Sequence, residues 1–224
     1  MRTVLVTGGT RGIGRAVVEL LAPTWRVVIG GRDPQAVADL VALYPHAQGF
    51  VADLADADAV RAAVAQLGEV DAVVHSAGTV AYGAAETQSW EQWRHVLDLN
   101  VIAVAELTRL LLGRLREAHG QVVVLNSGAG LHARPGSAVY AASKFALRAW
   151  ADALRAEEAG TLRVTSVHPG RVDTDMQRTL QAAEGKEYDT TGVMDVAAVA
   201  QAVAFALEAP ADACVEMISV RPAR

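Results

Sequence analysis

Thr7-Gly8-Gly9-Thr10-Arg11-Gly12-Ile13-Gly14 directly follows the short apolar run Val4-Leu5-Val6 and opens a stretch of helical period over residues 13–21. Its glycine spacing is G-x-x-x-G-x-G. Glycine lets the chain turn sharply and lets backbone approach a ligand closely. A helix that starts here presents free N–H groups and the positive end of its dipole to a pyrophosphate. The order strand, turn, helix gives the motif its weight, because the same glycines elsewhere would be an ordinary turn. Gly8, Thr10, Arg11, Gly12, Ile13 and Gly14 are therefore candidate cofactor-binding residues.

Outward from this turn, short β-branched runs alternate with longer helical stretches. Strands are predicted at 4–7, 26–29, 47–51, 72–75, 122–126, 164–168 and 216–220. Most are continuous apolar runs, as expected of parallel strands buried on both faces. Helices are predicted at 13–21, 34–43, 57–67, 137–157 and 196–207, with 90–115 forming two helices or one bent helix. Asp33 is placed to cap a helix that has Pro34 at its first position, and Asp56 to cap the next. The rhythm predicts an α/β fold: a doubly wound parallel sheet with helices on both faces, in one domain spanning 1–224. There is no internal repeat, low-complexity segment or linker. The least regular stretch, 174–195, follows a strand and is the expected substrate lid.

Composition narrows the function classes. Of 224 residues, 52% are hydrophobic and only 5% aromatic, so Ala, Val and Leu must fill the core. A net charge of −5 argues against a basic nucleic-acid footprint. Cys214 is the lone cysteine, so no intrachain disulfide can form and a reducing compartment is expected. The N-terminal apolar run is too short for a signal peptide, and no charge-free apolar stretch could span a bilayer. A cytoplasmic protein without nucleic-acid or membrane partners is the expectation. The six histidines show no metal-ligand spacing, so no metal site is expected.

Tyr140-Ala141-Ala142-Ser143-Lys144 puts Tyr and Lys at i and i+4 on one helical face. A phenol with a pKa near 10 is a poor base at neutral pH, but a neighbouring ammonium stabilises the phenolate. Such a pair can move a proton to or from an alcohol oxygen. Ser127, at the end of the 122–126 strand, could polarise a carbonyl against Tyr140; its surroundings also suit a plain turn. Asn100 interrupts an apolar helical pattern, and a buried Asn needs partners. It is expected either to kink the helix and hold a water that relays protons to Lys144, or simply to be satisfied within the helix. Asp53 follows the third strand, where it could accept a bond from an adenine amino group or cap the next helix.

Taken in order, Thr7 to Gly14, Asp53-Leu54, Ala77-Gly78, Asn100, Ser127, Tyr140 with Lys144, and Pro169-Gly170 with Thr174 resemble the short-chain dehydrogenase/reductase family over nearly the whole chain. The resemblance implies a Rossmann-like sheet of about seven strands and hydride exchange between a nicotinamide and a carbonyl carbon. It assigns the acid/base to Tyr140. Lys144 would lower the Tyr pKa and bind the nicotinamide ribose, Ser127 would donate to the substrate oxygen, and Asn100 would serve the relay. The stretch Pro169-Gly170-Arg171-Val172-Asp173-Thr174 would hold the carboxamide side of the nicotinamide, which adds Pro169, Gly170, Val172 and Thr174 to the cofactor site along with Leu54, Ala77 and Gly78. The family usually reads Asn-Asn-Ala-Gly where this chain has His75-Ser76-Ala77-Gly78. The missing Asn amide normally braces the strands, and Ser76 keeps one donor. The lid is compact and the chain ends soon after the last strand, so a shallow pocket or a small substrate is expected.

NADP(H) is expected over NAD(H). The second strand ends in Gly30-Gly31-Arg32-Asp33-Pro34. Gly31 stands where an NAD-preferring site generally places an acid for the adenosine ribose. Arg32 can reach a 2′-phosphate with its planar fork, and Arg11 from the other side. Asp33 is the rival, discounted because a helix N-cap occupies its carboxylate.

The chain thus reads as an NADP(H)-dependent oxidoreductase acting on a small carbonyl or secondary alcohol. The alternative is a cofactor-binding sensor or regulator on the same fold. The apolar stripe Leu107, Leu110, Leu111 and Leu115 and the helix around Phe145 suit either a homodimer or homotetramer interface or packing within one subunit. Trp90 and Trp93, at i and i+3, are read as helix packing, and His132 as a solvated loop residue.

Overall fold

In the computed structural model, which describes residues 1–183, 185 and 187–223, seven strands form one parallel sheet. They are β1 (Thr3–Thr7), β2 (Arg26–Gly31), β3 (Gln48–Val51), β4 (Ala72–His75), β5 (Gln121–Leu125), β6 (Arg163–Pro169) and β7 (Met217–Val220), in the order β3-β2-β1-β4-β5-β6-β7. Every neighbouring pair is parallel, with Leu5 facing Val28 on one side and Val73 on the other. The order reverses between β1 and β4, and ligands bind such sheets outside the carboxyl ends of the strands at that switch point.

Alternation along the strands divides the core in two. Val4, Val6, Val27 and Ile29 pack with Val17, Val18 and Leu21 of α1 (Gly12–Leu21), Leu40 of α2 (Pro34–Val41), and Val199, Val203 and Leu207 of α8 (Val196–Glu208). Leu5, Val28, Val73, Val122 and Val124 pack on the other face with α3 (Ala57–Ala65), α5 (Ala103–Glu117) and α6 (Ala138–Glu157). Leu107, Leu111 and Leu115 are fully buried there, and Leu110 packs against the same cluster. The leucine stripe is thus spent inside the subunit. Asp33 and Asp56 cap α2 and α3 through two backbone N–H groups each, as their sequence context predicts.

The two-helix alternative holds for 90–115, and two other expectations are corrected. The stretch 90–115 is broken in the middle: α4 (Trp90–Leu97) runs into a π-helical turn, Asp98–Ile102, and then α5. The wide turn lets Asn100 point inward without ending the helix. Trp90 does not pack; it is 72% exposed. The expected irregular lid contains a helix, α7 (Asp175–Ala183). Its sequence looked featureless because its stability comes from outside it. The Thr174 hydroxyl accepts the Gln177 N–H at 3.3 Å. Gln181 exchanges two hydrogen bonds with the Asp189 backbone, at 2.8 and 2.7 Å. Glu184 and Lys186, within the 174–195 stretch, lie outside the described residues. Among the described residues, no helix is long and apolar enough to cross a membrane.

Candidate active site

The glycine-rich turn lies against the end of β4. Gly8 and Gly12 have φ of +62° and +54°, the left-handed region that side chains disfavour. A Cβ on Gly8 would stand 2.9 Å from the Ala77 Cα, and one on Gly14 would stand 2.2 Å from the Gly8 carbonyl oxygen. Thr7 joins the two strand ends: its hydroxyl oxygen accepts the N–H groups of Ser76 and Ala77, both at 3.1 Å. The bracing expected of Ser76 therefore comes from Thr7, through the Ser76 backbone. α1 has no side-chain cap and no acid in its first turn, whereas Asp195 caps α8 as Asp33 and Asp56 cap their helices. The turn and the uncapped helix end fit a dinucleotide pyrophosphate, which needs close backbone approach and free N–H donors.

Asn100 sits deep beside this turn. Its Oδ1 accepts the Thr79 N–H at 2.9 Å, and its amide donates to the Thr79 carbonyl at 2.9 Å and the Ser143 hydroxyl at 3.0 Å. The side chain is thereby filled and fixes the loop after β4 to α6, leaving it no free amide proton for a relay water. Gly78 fits beneath it; a Cβ there would lie 3.1 Å from Asn100 Oδ1 and 4.0 Å from Lys144 Nζ.

Lys144 is buried, 6% exposed, and Nζ donates to the Leu125 carbonyl at 2.8 Å. Burial pulls its pKa down to about 8. Nζ stands 5.8 Å from the centroid of the Tyr140 ring. Burial raises the Tyr140 pKa above its ordinary value, and the nearby Ser127 hydroxyl partly offsets this. The expected lowering by Lys144 is not what governs the phenol here, because the ammonium is directed at a β5 carbonyl. Ser127 Oγ accepts the Ala129 N–H at 3.1 Å, and its own hydroxyl faces the Tyr140 phenol.

Two residues that sequence reasoning passed over hold Ser127 in place. Asn126 Oδ1 accepts the Ser127 N–H at 2.8 Å, and its amide donates to the Lys144 carbonyl at 3.1 Å. The His168 imidazole contacts the Ser127 carbonyl at 3.0 Å. The signal for Asn126 was a polar residue at the end of a Val-rich run, and for His168 a histidine among the apolar and small polar residues of a buried strand. Gln88 was also missed. It donates to the Gly83 and Gly136 carbonyls and accepts the Val139 N–H, which ties the loop after β4 to the first turn of α6 next to Tyr140.

At the end of β2, Arg32 is exposed and, among the described residues, makes no hydrogen bond or ion pair. A Cβ on Gly31 would stand 2.8 Å from methyl groups of both Thr10 and Val37, so an acid there would need them to move. Asp33 Oδ1 is occupied by the Gln35 and Ala36 N–H groups. Arg11 pairs with Asp175 of α7 at 3.6 Å, both well exposed. Asp53 is exposed and accepts the Ala55 N–H at 3.0 Å. Gly170 donates to the Val220 carbonyl at 2.7 Å, and Val172 bridges Met194 across the root of the lid. A cavity of about 250 Å³ opens between the loop after β4, α4 and α7, lined by Val80, Ala81, Tyr82, His95 and Leu180 among others.

The model of the short chain dehydrogenases matches residues 2–185. The chain belongs to the short-chain dehydrogenase/reductase family. Among curated relatives, this family member is 34% identical over 229 residues to an uncharacterized short-chain type dehydrogenase/reductase, y4eK, of Sinorhizobium fredii, covering 97% of this chain and 90% of that one. It is 32% identical over 187 residues to the 3-oxoacyl-[acyl-carrier-protein] reductase FabG of Escherichia coli, covering 80% and 77%. Among solved structures, a serine dehydrogenase complexed with NADP+ in its closed form superposes with a TM-score of 0.91 at 26% identity, covering 98% and 94%. An alcohol dehydrogenase of the archaeon Thermococcus sibiricus, complexed with 5-hydroxy-NADP, shares the fold at a TM-score of 0.90 and 24% identity, covering 99% and 97%.

Proposed function

We propose that this chain is an NADP(H)-dependent carbonyl reductase or alcohol dehydrogenase. The observation that carries this reading is the convergence of Ser127, Tyr140 and Lys144 with Asn100 and Gly78 beside the glycine-rich turn, at the switch point of the sheet.

Gly8, Thr10, Arg11, Gly12, Ile13 and Gly14 hold the pyrophosphate side of the dinucleotide, Asp53 and Leu54 the adenine, Ala77 and Gly78 the middle, and Pro169, Gly170, Val172 and Thr174 the carboxamide. When bound, the reduced nicotinamide supplies a hydride to the carbonyl carbon. The chain's own residues manage the oxygen. Ser127 donates its hydroxyl proton to it and orients it. Tyr140 then transfers the phenolic proton as the oxygen gains charge, which yields the alcohol. Its raised pKa keeps the phenol protonated at neutral pH, the form a reduction needs. Lys144 has three ammonium protons and spends one on Leu125, which leaves two for the nicotinamide ribose and the developing phenolate.

The preference for NADP(H) rests on Arg32, unpaired at the β2 end, on the crowding around Gly31, and on the commitment of Asp33 to its helix. The NADP complex of the serine dehydrogenase supports the same direction. The test is a panel of ketones, aldehydes and secondary alcohols, followed by the absorbance of the reduced nicotinamide. Cofactor turnover with at least one carbonyl is expected; binding of NADPH without turnover on any of them would favour a sensor.

A further inference from the structure

We propose that His168 is a positioning residue for the Ser127 hydroxyl, acting through the Ser127 main chain. The inference rests on the reading of Ser127 as the donor to the substrate oxygen. His168 lies near the end of β6, one strand over from Ser127, and is completely buried. Its Nδ1 lies 3.0 Å from the Ser127 carbonyl oxygen. A carbonyl can only accept, so Nδ1 carries the ring proton and donates. Nε2 is then an acceptor, and the buried Ser166 hydroxyl donates to it at 2.9 Å. The two bonds fix both the tautomer and the ring plane, and burial holds the imidazole neutral.

The histidine is itself held from behind. Arg221, just past β7, donates to the His168 carbonyl. The same guanidinium packs against the Ser127 turn, where a Cβ on Gly128 would lie 3.4 Å from Nη2. The Ser127 turn is thus gripped from two sides. Asn126 takes its N–H, and His168 donates to its carbonyl. Oγ accepts the Ala129 N–H and faces the Tyr140 phenol. Its placement against Tyr140 therefore depends on where the backbone is pinned. A donor on a pre-oriented group is worth most when its position is fixed before reaction, and small displacements of such groups cost rate steeply.

The test compares His168→Asn with His168→Gln, alone and in a Ser127→Ala background. The Asn amide nitrogen occupies the place of Nδ1 and keeps the bond to Ser127. The Gln amide reaches the place of Nε2, serving Ser166 but not Ser127. On a carbonyl that the wild-type protein reduces, kcat should fall ~10- to 100-fold in His168→Gln and stay near wild type in His168→Asn, with KM for NADPH unchanged in both. With Ser127→Ala in place, the two His168 variants should become equal. Equal losses in Asn and Gln, or a gap between them that persists in the Ser127→Ala background, would overturn the proposal. If Ser127→Ala alone keeps the wild-type rate, the role of Ser127 fails first and that of His168 with it. Circular dichroism and thermal melts of each variant separate a rate effect from misfolding. If His168→Gln does not fold, a normal rate in His168→Ala overturns the proposal, and a loss there that Asn restores sustains it.

Discussion

His75 makes this protein acid-sensitive in a way that can be worked out from its surroundings. The side chain is 2% exposed, and its Nε2 lies 2.8 Å from the Thr108 hydroxyl. Thr108 already donates its own proton to the Val104 carbonyl at 2.8 Å, so Nε2 must be the donor. The Trp150 ring meets it edge-on at 6.5 Å. Neither neighbour carries a charge that would stabilise an imidazolium, and burial lowers the pKa from 6.5 to about 3. The unfolded chain therefore takes up the proton first as pH falls. Stability is full above pH 6.5 and is lost progressively from there toward pH 3. The full shift corresponds to about 5 kcal/mol at ~1.4 kcal/mol per unit, a large share of a typical ~5–15 kcal/mol. His75→Asn places the family's usual residue there and removes the titration. Urea unfolding of both proteins at several pH values gives the difference in stability, in which the titrations they share cancel. Between pH 6.5 and two units lower, the wild type should lose about 2 kcal/mol relative to the variant, or roughly 4–8 °C in Tm. A difference that stays flat over that interval refutes the reasoning.

Other outcomes follow from the same geometry. Arg32→Ala should raise KM for NADPH roughly tenfold, a charge-assisted bond discounted for exposure, with KM for NADH little changed; equal effects on the two cofactors would remove Arg32 from the 2′-phosphate site. The Lys144 pKa, lowered by burial to about 8, means the ammonium is lost as pH rises through that value. kcat/KM for NADPH, which reports the free protein, should therefore decline above it, and Lys144→Arg should move that limb upward. A homodimer or homotetramer is expected, because Ile102 and Phe145 remain 58% and 43% exposed beside the core-facing helices; light scattering that finds only monomer at micromolar concentration removes that expectation.

What could be read from the sequence was what repeats along it. Each strand except the last is buried on one or both faces, so Val-rich runs such as Val122-Val123-Val124 identify themselves. The glycine turn, the Asp33 and Asp56 caps and the Tyr140–Lys144 spacing are local patterns with local causes. What escaped was produced by contacts that leave no periodic pattern in the sequence. α7 is held by Thr174 and by the pairing of Gln181 with Asp189, not by an apolar stripe of its own. His168 looked like a stray histidine because Ser127 lies 41 residues away. The Tyr140 environment was misjudged because a spacing of four predicts proximity to Lys144 but not that Leu125 captures the ammonium. Asn100 was legible as a break in the helix, yet its two bonds to Thr79 required the fold of the loop after β4.

The most direct test of the account is kcat for Tyr140→Phe on a carbonyl that the wild-type protein reduces with NADPH, measured alongside NADPH binding by fluorescence. The ring and its packing remain and only the proton-bearing oxygen is lost. Turnover should fall ~10²–10⁴-fold with cofactor affinity unchanged. A variant that keeps a near-wild-type kcat would contradict the account, because the proton would then have to come from somewhere other than Tyr140.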